Sequence, residues 1–226
     1  MRPLIIMNGE KIDWFHTVIR MLMYLAGVAV LALGMSLQTA SGLGVATLTC
    51  FATTLSMLTG KTLGFWITAT YVAYIVAQFT ILRREFQPRI LLELCFSTLI
   101  GGFTDFFMAV NPLHPAALPR QVEIMLLSLA VTAFGVSLVV NMGVVPNAPD
   151  GLVQVIAEKI KRRFGDVKVV FDCSHVAVSL VLSLALMHNL GGFGVTTAIS
   201  ALFLDHVINI ANKLFAQRFV RAAFGK

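Results

Sequence analysis

Long apolar stretches recur along this chain, separated by short polar breaks. One runs from about residue 18 to 40 with Arg20 as its single charge, and others occupy about 63–83, 89–109, 121–142, 168–188 and 192–210. At 1.5 Å rise per residue, about 20 residues cross a hydrocarbon core roughly 30 Å thick. Each run therefore predicts a spanning helix. The fold class that follows is all-α, a polytopic membrane protein with six transmembrane helices.

Two shorter apolar segments complicate the count: VATLTCFATTLSMLTG at 45–60 and PDGLVQVIAEKIKRRF at 149–164. In the second, only Gly151 to Ala157 separate Asp150 from Glu158 and Lys159, roughly a third of a span. Loop charge arbitrates for the first. If neither segment crosses, 15 of the 17 Lys and Arg fall on the cytoplasmic side, leaving Lys61 and Arg120 outside. If 45–60 crosses, the better orientation is only 12 against 5. Basic residues concentrate in cytoplasmic loops. Six spans with two short non-spanning helices and both termini cytoplasmic is the expected topology, in the inner (plasma) membrane.

The chain also echoes itself. ALGMSLQTASG (32–42) aligns with AFGVSLVVNMG (133–143), pairing Gly34 with Gly135, Ser36 with Ser137 and Gly42 with Gly143. FTDFF (103–107) aligns with FLDHV (203–207), pairing Phe103 with Phe203 and Asp105 with Asp205. Each half reads as helix, short helix, helix, helix. Three crossings per half place the second copy upside down, the inverted-topology plan of many secondary transporters. The expected division is an N-terminal interfacial segment (1–17), repeat 1 (18–112), repeat 2 (119–210) and a basic amphipathic tail (211–226). In the first segment Glu10, Lys11 and Asp13 argue against a cleaved signal peptide. Trp14 and Phe15 suit the headgroup level.

Composition agrees: the sequence is 58% hydrophobic with a mean hydropathy of +0.85. The net charge of +6 raises the question of nucleic acid. The basic residues lie at helix ends, however, as membrane topology requires, so no nucleic-acid partner is expected. The tail NKLFAQRFVRAAFGK reads as a helix on the anionic inner leaflet. Cys50, Cys95 and Cys173 suggest neither a disulfide framework nor a zinc site. There is no nucleotide-binding glycine pattern and no His-Glu-x-x-His. No enzyme, metal or cofactor is expected; a homo-oligomer is left open.

A Gly-x-Ser-Leu helix end leads to a glycine and then to a Pro-Asp-x-Leu element: Gly135, Ser137, Leu138, Gly143, Pro149, Asp150 and Leu152. On these residues the chain resembles the small bacterial polytopic membrane proteins of the YczE and YitT type, over roughly residues 20–210. The resemblance implies an integral plasma-membrane protein and no settled substrate. The first half departs from the pattern: Val45, Ala46 and Thr47 follow GLG where a second Pro-x-Asp element would stand.

Ionisable groups inside a bilayer cost roughly 2.5–3.5 kcal/mol on insertion scales, so each is a functional candidate. Asp105 and Asp205 come first, as alternating proton or cation sites or as caps of neighbouring helices. Asp172 and His175, three apart, share a helix face. They form either a proton relay or, for Asp172, an ion pair with Lys168 one turn away. Glu93 is expected to be a surface partner of Arg89. Asn141 and Asn147 flank the break before the second short helix, and Asp150 reads as that helix's opening cap. Thr47 and Thr49 could line a polar cavity, or bond back to the preceding turn. The function expected is transport of a small solute, proton- or ion-coupled, at the interface of the halves. Two alternatives stay open: a substrate-binding subunit of an ATP-driven energy-coupling-factor-type uptake system, and a non-transporting membrane scaffold.

Overall fold

A computed structural model describes residues 14–85, 87–113, 115–188 and 190–224. The expected interfacial segment before Trp14 lies outside them. The described residues form eight α-helices and no strand: α1 (Trp14–Ser41), α2 (Thr47–Thr59), α3 (Leu63–Leu82), α4 (Leu92–Val110), α5 (Leu118–Met142), α6 (Ala148–Ile160), α7 (Phe164–Leu186) and α8 (Val195–Phe224). Two short 3-10 turns, Arg83–Glu85 and Pro88–Leu91, join α3 to α4. Six helices are long and apolar enough to cross a membrane. The other two, α2 and α6, have 13 residues each, about 20 Å at helical rise and too short to span.

Local chemistry sets these boundaries. α1 gives way at Gly42 and Gly44, both at positive φ (71° and 98°). α5 stops at Gly143, a left-handed residue whose N–H bonds the Val139 carbonyl, the usual glycine helix stop. Pro146 and the N-cap Asn147 follow, and Pro149 lies in the first turn of α6, where its missing N–H costs nothing. Thr62 caps α3 by accepting from the Phe65 N–H.

α1 and α5 form the centre as an antiparallel pair. Val28, Leu31, Ala32 and Met35 bury against Leu138, Val139 and Met142. Glycine permits the approach. A Cβ on Gly135 would lie 2.6 Å from the Leu31 backbone nitrogen, and one on Gly34 would collide with Thr132. α4 packs on α1, α8 on α5 and α3 on α4. The short helices fill the remaining side: α2 lies against α7 and α3, and α6 against α3 and α7. Two hydrogen-bonded pairs tie the long helices together. Asn111 donates to Ser36 at 3.2 Å, between the end of α4 and α1, and Ser137 of α5 donates to Asn212 of α8 at 2.6 Å.

α7 and α8 are the least buried spans, with 11% and 17% of their apolar windows buried against 56% for α5. Val169, Val170, Val178, Val181 and Leu184 are exposed, the surface a bilayer would cover. The C-terminal residues differ from expectation. Residues 211–224 are the unbroken continuation of α8, where Phe215 and Phe219 meet Phe134 of α5 edge-on and Ala211 and Ala223 are buried. No glycine or proline interrupts this stretch before Gly225, so the helix carries on and packs.

Candidate functional site

The break after α5 brings the first turn of α6 between α3 and α7. Asp150, in that turn, meets Lys168 of α7, the lysine Nζ lying 3.0 Å from Asp150 Oδ1 and 3.7 Å from Asp172 Oδ1 on its own helix. Asp150 is therefore not the helix cap. Asn147 occupies the cap position, three residues earlier, and its side chain makes no capping bond. The carboxylate turns across to Lys168, whose largely buried ammonium is costly unless paired.

Behind this ion pair lies a buried polar layer. Gln78 of α3 donates to Glu93 Oε2 at 2.8 Å and to the Ala148 carbonyl at 3.3 Å. Glu93 is 1% exposed, which overturns its expected place on the surface; the α4 start tucks beneath α6 instead. Gly151 makes this possible, since a Cβ there would lie 2.8 Å from Glu93 Oε1. Tyr71 lies beside Asn147 and Asp150. Farther along α7, His175 hydrogen-bonds the Tyr74 hydroxyl, and its Nδ1 is 2.8 Å from the Phe171 carbonyl oxygen. The rings of Phe51, Tyr74 and Phe171 enclose its imidazole. Phe51 belongs to the first half of α2, so both short helices direct their beginnings toward this junction.

The structure gathers Asn147, Asp150, Asp172 and His175 here, with Asp205 at the margin. Asp205 is exposed on α8, with Lys168 and Asp172 as electrostatic neighbours. The hydrogen-bond partners of His175 are Tyr74 and Phe171, and the ionic partner of Asp172 is Lys168. Other candidates lie elsewhere. Asp105 accepts from the Gly64 N–H at 2.7 Å, at the start of α3. Asn141 donates to the Ser137 carbonyl and to Asn212 Oδ1. Thr47 is buried as the first residue of α2, and Thr49 donates to the Ala46 carbonyl, back along the chain. Lys168 was expected as a partner of Asp172 and not of Asp150; Gln78, Tyr71 and Tyr74 were not singled out from sequence. A signal existed: Gln78 is the single amide side chain in the apolar run of α3, and Tyr71 and Tyr74 lie three apart on one face.

Comparison with known proteins supplies a family. An uncharacterized membrane protein of Bacillus subtilis (strain 168), YczE, is 33% identical over 147 residues, which is 63% of this chain and 65% of that protein. The chain thus spans just under two thirds of the length of the curated relative it matches. No solved structure matches. Residues 18–213, all six spans up to the middle of α8, match a family of unknown function, DUF6198, and this membrane protein belongs to that family.

Proposed function

We propose that the protein is a secondary transporter of a small solute, built from two inverted copies of a four-helix unit with the solute site at the junction of α3, α6 and α7. The observation that carries this reading is the cluster of Asp150, Lys168 and Asp172, two carboxylates and an ammonium held among apolar spanning helices. Such groups are expensive there and mark ion or substrate paths. Half-length helices that begin near the middle of a membrane fold are where transporters place their sites.

The inverted plan is supported by paired contacts. Ser36 and Asn111 correspond to Ser137 and Asn212 at an offset of 101 residues, and each pair is hydrogen-bonded. Gly34 against Thr132 corresponds to Gly135 against Leu31. The packing of α2 on α7 is matched by that of α6 on α3, and α1 on α4 by α5 on α8. The distribution of Lys and Arg supports cytoplasmic termini in the plasma membrane.

The test is flux. Purified protein in liposomes is expected to move one solute of a panel of amino acids, amines, organic acids and monovalent cations, and Asp150→Asn is expected to slow it at least tenfold. Activity of the isolated chain would exclude dependence on a separate ATPase. Co-purification with ATPase subunits and no flux alone would favour the energy-coupling-factor reading.

A further inference from the structure

In the first half, α3 and α4 are shut against each other at one end. Asp105 Oδ1 accepts the Gly64 N–H at 2.7 Å, and a Cβ on Gly64 would collide with the Gly101 carbonyl. The corresponding residues of the second half are Gly165, at an offset of 101, and Ala201 and Asp205, at an offset of 100. Their arrangement is open. A Cβ on Gly165 would meet nothing within 4 Å, Ala201 and Asp205 are exposed, and α7 and α8 form no interface like that of α3 and α4.

Both sides of the missing contact lack partners of the kind the first half supplies. The cap of α7, Arg163, makes no side-chain bond to the first turn, where helix N–H groups need acceptors. Asp205 leaves a carboxylate exposed on α8, with no backbone N–H like that of Gly64 to accept from among the described residues. Gly165 costs about 1 kcal/mol of helix propensity with no close neighbour to require it. Asp205 already stands level with the start of α7, with Lys168, one turn beyond Gly165, as an electrostatic neighbour. Of the other charges near that turn, Asp166, Asp172 and Asp150 oppose the approach, and Lys161, Arg162 and Arg163 favour it.

We propose that Asp205 is a latch: in a second state α7 closes on α8, Asp205 accepts the Gly165 N–H with Gly165 backed onto Ala201, and the Asp105–Gly64 contact opens. This rests on the inverted-repeat reading above. It makes the two aspartates alternating gate catches, so that the Lys168 cluster is shut off from one side or the other. A carboxylate or an amide oxygen can fill the role, because what the latch needs is an acceptor.

The test uses the full chain without native cysteines (Cys50→Ala, Cys95→Ser, Cys173→Ser), spin-labelled at two pairs of exposed positions related by the inversion. One pair is Phe65→Cys with Phe106→Cys, the other Asp166→Cys with His206→Cys. Pulsed distance measurements in nanodiscs are expected to give two populations for the second pair, the shorter matching the main distance of the first. Asp205→Ala is expected to abolish that short population, and Asp205→Asn to keep it. Gly165→Pro is expected to act like Asp205→Ala, since it removes the donor at a first-turn position that Pro119 and Pro149 occupy in α5 and α6. A single long distance for the second pair, or a short one that survives both Asp205→Ala and Gly165→Pro, overturns the latch. Flux without a short population refutes the latch alone. A latch-dependent short population with no flux refutes the transport reading alone.

Discussion

Lys168 of α7 and Asp150 of α6 are joined by an ion pair of 3.0 Å, so a spanning helix and a half-length helix meet through opposite charges rather than through apolar packing alone. Each charge depends on the other to be tolerable in that setting. A double-mutant cycle with Lys168→Met and Asp150→Asn is expected to give a coupling of about 1–3 kcal/mol, with the double variant more stable than Lys168→Met. Thermal unfolding in detergent measures it; additive effects would separate the two residues.

The α1–α5 crossing is expected to be the least tolerant place in the fold. Gly135→Ala puts a methyl group 2.6 Å from the Leu31 backbone nitrogen, and overpacking of this kind costs about 1–3 kcal/mol. Gly102→Ala is the control, because nothing lies within 4 Å of its added carbon. It is expected to hold or slightly raise the melting temperature, alanine being the better helix former.

The two serine–asparagine bonds differ in load. Asn212 Oδ1 accepts from both Ser137 and Asn141, whereas Asn111 donates to Ser36 and caps its own loop by accepting from the Leu113 N–H. Asn212→Leu leaves two side-chain donors without this acceptor and is expected to cost more than Ser36→Ala, which removes one bond worth about 1 kcal/mol. Melting temperatures of the two variants should rank accordingly.

Topology yields to labelling. In intact cells a membrane-impermeant maleimide is expected to reach Lys61→Cys and Arg120→Cys, and to reach Lys161→Cys only after permeabilisation. The reverse pattern would invert the orientation that the basic residues imply.

The helices were legible because bilayer thickness imposes a length on apolar runs. The expected spans agree with the observed ones within a few residues at most ends. The exception is the end of α8, where Lys213, Arg218 and Arg221 suggested a surface tail. The helix continues there because Phe215, Phe219 and Ala223 find cover, and a basic stripe is silent about such cover. The site was half legible. Asp150, Asp172 and His175 stand out as costly groups, and Lys168 is visible one turn from Asp172. The pairing of Lys168 with Asp150 on another helix and of His175 with Tyr74, 101 positions back, depends on the fold, and nothing local in Tyr71, Tyr74 or Gln78 says which helix each will meet. Glu93 was misplaced for the same reason. Its neighbour one turn away, Arg89, was visible, whereas Gly151, the small residue that lets α6 settle over it, lies 58 positions on.

The most direct measurement is solute entry into liposomes containing the purified protein alone, comparing wild type with Lys168→Met and Asp150→Asn at equal, folded protein content. Saturable movement of at least one solute in the panel is expected, slowed at least tenfold by either substitution. Movement of every solute no faster than in empty liposomes, or specific flux untouched by both substitutions, would contradict the transport reading.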